Sequence, residues 1–207
     1  MKRQYEVDEL NPLPTFDDYF ETMDLTTKQR ESRIALAETF LEMFLFIFAF
    51  ATRVKDLSQI EAKLKAEYIK ALPPKYKING AIKDPYMKDY LNIVVASIAG
   101  TTYNGVKHDR SWDISYDRAF DLATNEANGI ENYGDFAEAK TLGFTKKTWV
   151  TEGDERVRLS HAMLDGSTIL IDDLFLVGSS YMRFPKDIMF NPSTNDIAGC
   201  RCTIIYK

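Results

Sequence analysis

Gly143-Phe144-Thr145-Lys146-Lys147-Thr148-Trp149-Val150-Thr151 is the stretch where this chain changes character. Before it, apolar residues recur at helical spacing over long distances. After it they come in short runs rich in β-branched and aromatic residues: Thr148 to Thr151, Thr168 to Ile171, Phe175 to Val177 and Thr203 to Tyr206. Such runs fit a pleated, half-buried surface. Gly143 predicts the C-cap of the preceding helix, because glycine enters the left-handed conformation without steric cost. The predicted fold class is therefore α+β: a mainly helical N-terminal part with a small C-terminal β-sheet packed on helices.

Working back towards the N-terminus, Ser115 opens a helix with Tyr116, Ala119, Phe120, Ala123 and Ala127 along one side. Asn128-Gly129 and Tyr133-Gly134 are expected to loosen its end. Asp84-Pro85 opens another helix over Tyr86 to Ala99, interrupted at Gly100 and again at Tyr103-Asn104-Gly105. Residues 27–71 carry neither Pro nor Gly and predict one long helix, capped by Thr26 or Thr27 and broken by Pro73-Pro74. Within it Phe40, Phe44, Phe46, Phe48 and Phe50, with Met43 and Ile47, leave almost no polar side. A helix of that kind is buried on several sides, either at the centre of a bundle or in a subunit interface. The apolar run Phe40 to Ala51 spans about 18 Å as a helix, against about 30 Å of hydrocarbon in a bilayer, so no membrane span is expected. Residues 1–25, with Asn11-Pro12-Leu13-Pro14, read as an extended arm. The expected organisation is an arm over 1–25, a helical region over 26–114 and a C-terminal domain over 115–207.

A net charge of -5 and a pI near 5.2 do not favour nucleic acid as the main partner. The N-terminal Met1 to Asp8 is charged and lacks the apolar stretch of a signal peptide. Both cysteines lie in Cys200-Arg201-Cys202. In a strand, residues two apart lie about 6.6 Å from one another, near the upper limit for a disulfide, so free thiols in a reducing compartment are expected.

Thr151-x-x-Asp154 resembles a capping box and predicts a short helix from about Asp154 to Leu164, closed by Gly166. On that helix Val157, His161 and Leu164 share a face. On the last strand Cys200, Cys202, Ile204 and Tyr206 share one face by alternation. His161 therefore meets both thiols if the helix packs on the strand. Three chemistries are open to such a cluster. His161, Cys200 and Cys202 can ligate zinc, with water or a carboxylate such as Asp165 as the fourth ligand. A thiol activated by His161 can act as a nucleophile, although no orienting third group or oxyanion hole follows from the pattern. His161 with Arg156, Arg158 and Arg201 can serve a metal-independent nuclease or nucleotidyl-type hydrolase. Against these stands a purely structural reading, with the cysteines as small buried hydrophobes and Arg156 and Arg158 paired with Asp154, Glu155 and Asp165. Of these, the structural reading is preferred, which means no catalytic residues and no cofactor, with zinc as the alternative. His108 has no partner pattern and reads as solvated.

Arg118-Ala119, Glu126, Lys147-Thr148-Trp149, Thr151, Asp154, Arg158-Leu159-Ser160-His161, Leu164-Asp165-Gly166, Phe184-Pro185 and Cys200-Arg201-Cys202 follow one another in a fixed order. In that order the C-terminal block resembles the phage minor head, or Mu F-like head morphogenesis, family. Gly199 stands where that family usually has Asn. The resemblance covers about residues 115–207. It implies a non-enzymatic structural protein of the virion, made in the bacterial cytoplasm and associated with portal or capsid proteins. It also implies a part in head morphogenesis and a link to DNA packaging or ejection. Trp149, Asp154, Arg158, His161, Asp165, Gly166, Cys200, Arg201 and Cys202 then form its structural signature, and the five phenylalanines of the apolar helix become candidates for contact with those proteins or with another copy.

Overall fold

The computed structural model describes residues 15–207. Residues 1–14 of the expected arm, with Asn11 to Pro14, lie outside them. The described part, residues 15–25, is not an extended stretch: α1 (Phe16–Glu21) is a helix started by a capping box between Thr15 and Asp18. Phe20 and Met23 are buried in the core, and Phe16 stacks on Phe120 with ring centroids 4.7 Å apart.

The expected single helix over 27–71 is two. α2 (Thr27–Val54) starts on a Thr26–Gln29 capping box and stops at Lys55, which takes the left-handed conformation at φ 50°. Asp56 then caps α3 (Leu57–Ala71) by accepting from the Gln59 amide at 2.9 Å. The turn is made by a side-chain cap, without glycine or proline, and folds α3 back on α2. Pro74–Tyr76 forms one 3-10 turn, and β1 (Lys77–Ile78) and β2 (Ala81–Ile82) make a minimal hairpin.

Three glycine positions read as interruptions lie inside helices, with a fourth that has open space around it. α4 (Pro85–Lys107) runs straight through Gly100 and Gly105. A Cβ on Gly105 would come within 2.3 Å of Asp113 Cβ, so glycine there admits the 3-10 turn Ser111–Ile114 against the helix. α5 (Tyr116–Thr141), capped by Ser115, runs through Gly129 and Gly134. A Cβ on Gly134 would meet Lys75 Nζ at 2.7 Å and Tyr76 Oη at 2.8 Å. These glycines serve close approach between elements. Ala119, Ala123 and Ala127 are fully buried on α5 and serve the same end. Gly143, at φ 79°, follows the end of α5 as expected, and the Phe144 amide bonds back to the Ala139 carbonyl.

α2 and α5 form the central helix pair. Phe40, Phe44 and Ile47 of α2 are fully buried, and Phe48 nearly so. The other two phenylalanines of that stretch differ: Phe46 is 47% exposed and Phe50 is half-buried. With its full 28 residues α2 is longer than the apolar run alone suggests, and by length and composition it is able to cross a membrane. In this fold its inward side is instead spent on the core. Arg33, fully buried in α2, donates to Asn128 Oδ1 at 3.1 Å, Asn132 Oδ1 at 3.0 Å and Asp135 Oδ2 at 3.1 Å, all on α5.

The C-terminal part begins with β3 (Lys146–Val150), the middle strand of a three-stranded antiparallel sheet. After a loop, α6 (Leu159–Ala162) leads to β4 (Thr168–Leu170) on one edge. β5 (Phe175–Val177) and β6 (Ser180–Met182) form a separate hairpin, whose second strand the sequence reading lacks. The single turn α7 (Thr194–Ile197) precedes β7 (Thr203–Tyr206), which pairs with the other edge of β3, placing Trp149 opposite Ile204. Two hydrophobic clusters result. The large one spans α1 to α5 and takes in Ile171 and Phe184. The small one holds Trp149, Phe175, Val177, Met182, Cys200 and Cys202, and Ile204 packs against both. α+β is thus the observed class, and packing is continuous across residue 115, because α5 belongs to the large core.

Glu126 lies on the inner side of α5, where it accepts hydrogen bonds from the hydroxyls of Tyr68 and of Tyr90, the latter at 2.7 Å. Burial pushes its carboxyl above the usual range, against those two bonds. The folded chain therefore holds this proton more tightly than the unfolded chain. The stabilising contribution is full below the unfolded value of about 4.3 and is lost as pH rises through the raised folded value. Glu126→Gln keeps an acceptor for both phenols and cannot ionise, so its stability relative to the parent should rise between pH about 4 and about 8. Urea titrations at the two pH values check this; a constant difference contradicts it. Glu126→Ala should cost about 3 kcal/mol or more at either pH by leaving two buried hydroxyls unpaired.

Candidate functional site

The loop between β3 and β4 is stapled at its base. The Thr151 amide and hydroxyl donate to Asp165 Oδ1 at 2.8 and 3.0 Å, and the Gly166 amide donates to the Trp149 carbonyl at 2.9 Å. Gly166, at φ 72°, makes that return. The expected capping box does not form, because Asp165 takes Thr151. Residues 154–157 are turn, and the helix reduces to Leu159–Ala162 behind Arg158. Asp154 is paired instead with Arg201, whose guanidinium reaches both carboxylate oxygens at 2.7 Å and Thr22 Oγ1 at 3.1 Å. That bond holds the Asp154 carboxyl below its ordinary range. The expected pairing of Arg156 and Arg158 with the acidic residues of this turn is therefore made by Arg201, and the Arg158 guanidinium donates to the Ala198 carbonyl. These contacts tie the loop to α1 and to the final segment.

His161 sits at the centre, 2% exposed. Its Nδ1 lies 3.4 Å from Cys202 Sγ and 3.5 Å from Cys200 Sγ. The structure thus brings the three residues together, although Val157 and Leu164 lie outside α6 and both cysteines precede β7, so the contact is made by a short turn and a loop and not by the faces of a helix and a strand. Both cysteines are free and buried. The bond from the Cys202 thiol draws the Cys200 thiol below the usual range, with His161 adding to this, while the same bond and burial push Cys202 up. Trp149 packs edge-on to His161 and to Phe175, with centroids 5.9 and 5.1 Å away. Beside the trio is a cavity of about 20 Å³, bordered by Glu152, Arg156 and Arg158. Burial raises the Glu152 carboxyl to about 7.

The composition of the block gave no hint of what holds Cys200 and Cys202 in place. Asn125, Asn128 and Asn132 on α5 reach across to the final segment. Asn125 Oδ1 accepts from the Gly199 amide at 3.0 Å, Asn128 Nδ2 donates to the Cys200 carbonyl at 3.0 Å, and Asn132 Nδ2 donates to the Pro185 carbonyl at 3.2 Å and to the Cys202 carbonyl at 3.5 Å. Asn128 and Asn132 are the same residues that receive Arg33. A chain of hydrogen bonds therefore runs from α2 through α5 to the backbone of the cysteine segment. The available signal was three asparagines at helical spacing on a buried face, where asparagine is disfavoured unless bonded. The Asn125 carbonyl also receives the buried Lys186 ammonium, whose pKa burial lowers to about 8.

A sequence model of phage Mu protein F like proteins matches residues 91–205, more than half of the chain. The chain belongs to the phage Mu protein F like family. The match reaches back past residue 115 into α4, consistent with the continuous packing there. This Mu F-like chain is also similar to the NAD(+)--arginine ADP-ribosyltransferase EFV of Enterococcus faecalis (strain ATCC 700802 / V583), 29% identical over 120 residues. That stretch is 55% of this chain and 24% of the relative, so the Mu F-like chain spans about a quarter of the relative's length. No solved structure matches it.

Proposed function

We propose that the protein is a non-enzymatic minor head protein of a bacteriophage, made in the host cytoplasm and built into the virion at the portal vertex or inside the head. Family membership carries this reading. The site geometry supports it: Arg201 is spent on Asp154, Arg158 on a backbone carbonyl, and His161 faces two sulfurs in a buried pocket. His161, Arg158 and Arg201 do border one cavity, but at about 20 Å³ it is the size of a water molecule, and both guanidiniums are already bonded within the protein, which counts against a nuclease built on them. The activity in the relative's name belongs to a protein about four times as long as the stretch shared with this chain. Among the five phenylalanines put forward as contacts, Phe46 is the one left widely exposed, next to Leu45 at 36%, and it is the first candidate for touching portal, capsid or a second copy.

Co-expression with the portal and major capsid proteins of the same phage tests the reading. The expected result is a complex that survives purification and is weakened by Phe46→Glu, with the fold unchanged. A chain that never co-purifies with either partner refutes the assignment.

A further inference from the structure

We propose that His161 Nδ1, Cys200 Sγ and Cys202 Sγ bind one zinc ion, with a water molecule as the fourth ligand. This is independent of the head-protein reading. The three ligand atoms lie within 4.8 Å of one another, although His161 comes from α6 and the cysteines from the segment before β7. Tetrahedral zinc, with bonds of about 2.3 Å to sulfur and about 2.0 Å to nitrogen, sets nitrogen and sulfur about 3.5 Å apart. The two observed nitrogen–sulfur separations are 3.4 and 3.5 Å, which match that spacing. Without a metal this arrangement is poorly used: one ring nitrogen has either one lone pair or one hydrogen, and two sulfurs compete for it. His161 Nε2 is also buried with no hydrogen-bond partner among the described residues, so the ring gains nothing on its other side.

The fourth position has a place as well. The cavity of about 20 Å³ touches all three ligands, and one water requires about 10–15 Å³. Coordination converts both thiols to thiolates, releasing two protons to solvent, and the two negative charges balance the ion. Zinc suits the set because two sulfurs and an imidazole are soft and borderline ligands in tetrahedral reach. The scaffold fixes this geometry from outside: the asparagines of α5 hold the cysteine backbone, and Asp165 and Arg201 hold the loop that carries His161. The ion would tie α6 to the cysteine segment, whose two thiols are free.

The test uses the intact chain, purified under reducing conditions after growth with zinc. Elemental analysis should give about one zinc per chain, and cobalt exchange should produce the intense near-ultraviolet band of thiolate-bound cobalt. Cys200→Ala, Cys202→Ala and His161→Ala should each lose the ion, while His108→Ala keeps it. If the variants do not fold, the wild-type protein still decides: both thiols should resist alkylation until a chelator is added. Chelation should lower the thermal midpoint by on the order of 10 °C, and zinc should restore it. A folded wild-type chain that takes up neither zinc nor cobalt overturns the proposal. So does metal retained by the Cys200→Ala or Cys202→Ala chain, or thiols that alkylate equally with and without metal.

Discussion

Arg33→Met should destabilise the protein by about 3–5 kcal/mol, because it removes one partner of a fully buried network and strands the rest. The guanidinium is the shared donor to Asn128, Asn132 and Asp135 and also bonds the Gln29 carbonyl. Methionine fills much of the volume but offers no donor, so two buried amide oxygens lose their partner, at about 1–3 kcal/mol each. Asp135 lies partly at the surface and regains water, which limits the loss from that end. Arg33→Lys should recover only a minor part, since an ammonium lacks the planar fork that reaches three acceptors. Urea denaturation measures the size of the effect. A second readout locates it: the relay ends on the Cys200 and Cys202 backbone, so alkylation of the two thiols should speed up in Arg33→Met. A loss below about 1 kcal/mol would mean the network is not what joins the helical part to the cysteine segment.

The second large effect is expected at Trp149, for which Trp149→Ala should cost about 3–5 kcal/mol. This side chain is fully buried and is the largest member of the small cluster, lying edge-on to both His161 and Phe175. The loss has a location too. The large core is built from α1 to α5 and contains neither Trp149 nor the cysteines. The variant should therefore open β3, β4 and β7 before the helices melt, a sub-global unfolding. Hydrogen exchange should show amides of Lys147 to Val150 losing protection while the middle of α2 and α5 keeps it. Uniform loss of protection over all helices would show that the two clusters fold as one unit.

Much of this architecture was legible in the sequence because the relevant physics is local. The switch of period at Gly143 marked the change from helices to sheet. Ser115, Asp84 and Thr26 marked helix starts, since each accepts a backbone amide three residues on. Cys200 and Cys202 do meet His161 as expected, although they lie just before β7 (Thr203–Tyr206) and not on the strand that the alternation assumed. What could not be read depends on distant partners. Gly105 and Gly134 resemble helix breakers until Asp113 and Lys75 are seen against them. Lys55 and Asp56 break a continuous helical pattern because α3 can then pack back on α2. Thr151 had two acidic residues within reach, and only the folded loop decides for Asp165 over Asp154. The asparagine ladder and Arg33 were missed for the same reason: each residue looks costly on its own helix and becomes stabilising only when its partner arrives from elsewhere in the chain.

A minor head protein should travel with the phage particle. Quantitative mass spectrometry of purified particles from the phage or prophage that carries this sequence tests it most directly. Peptides of this chain are expected in purified DNA-filled heads. Peptides found in the lysate but absent from purified heads and proheads would contradict it.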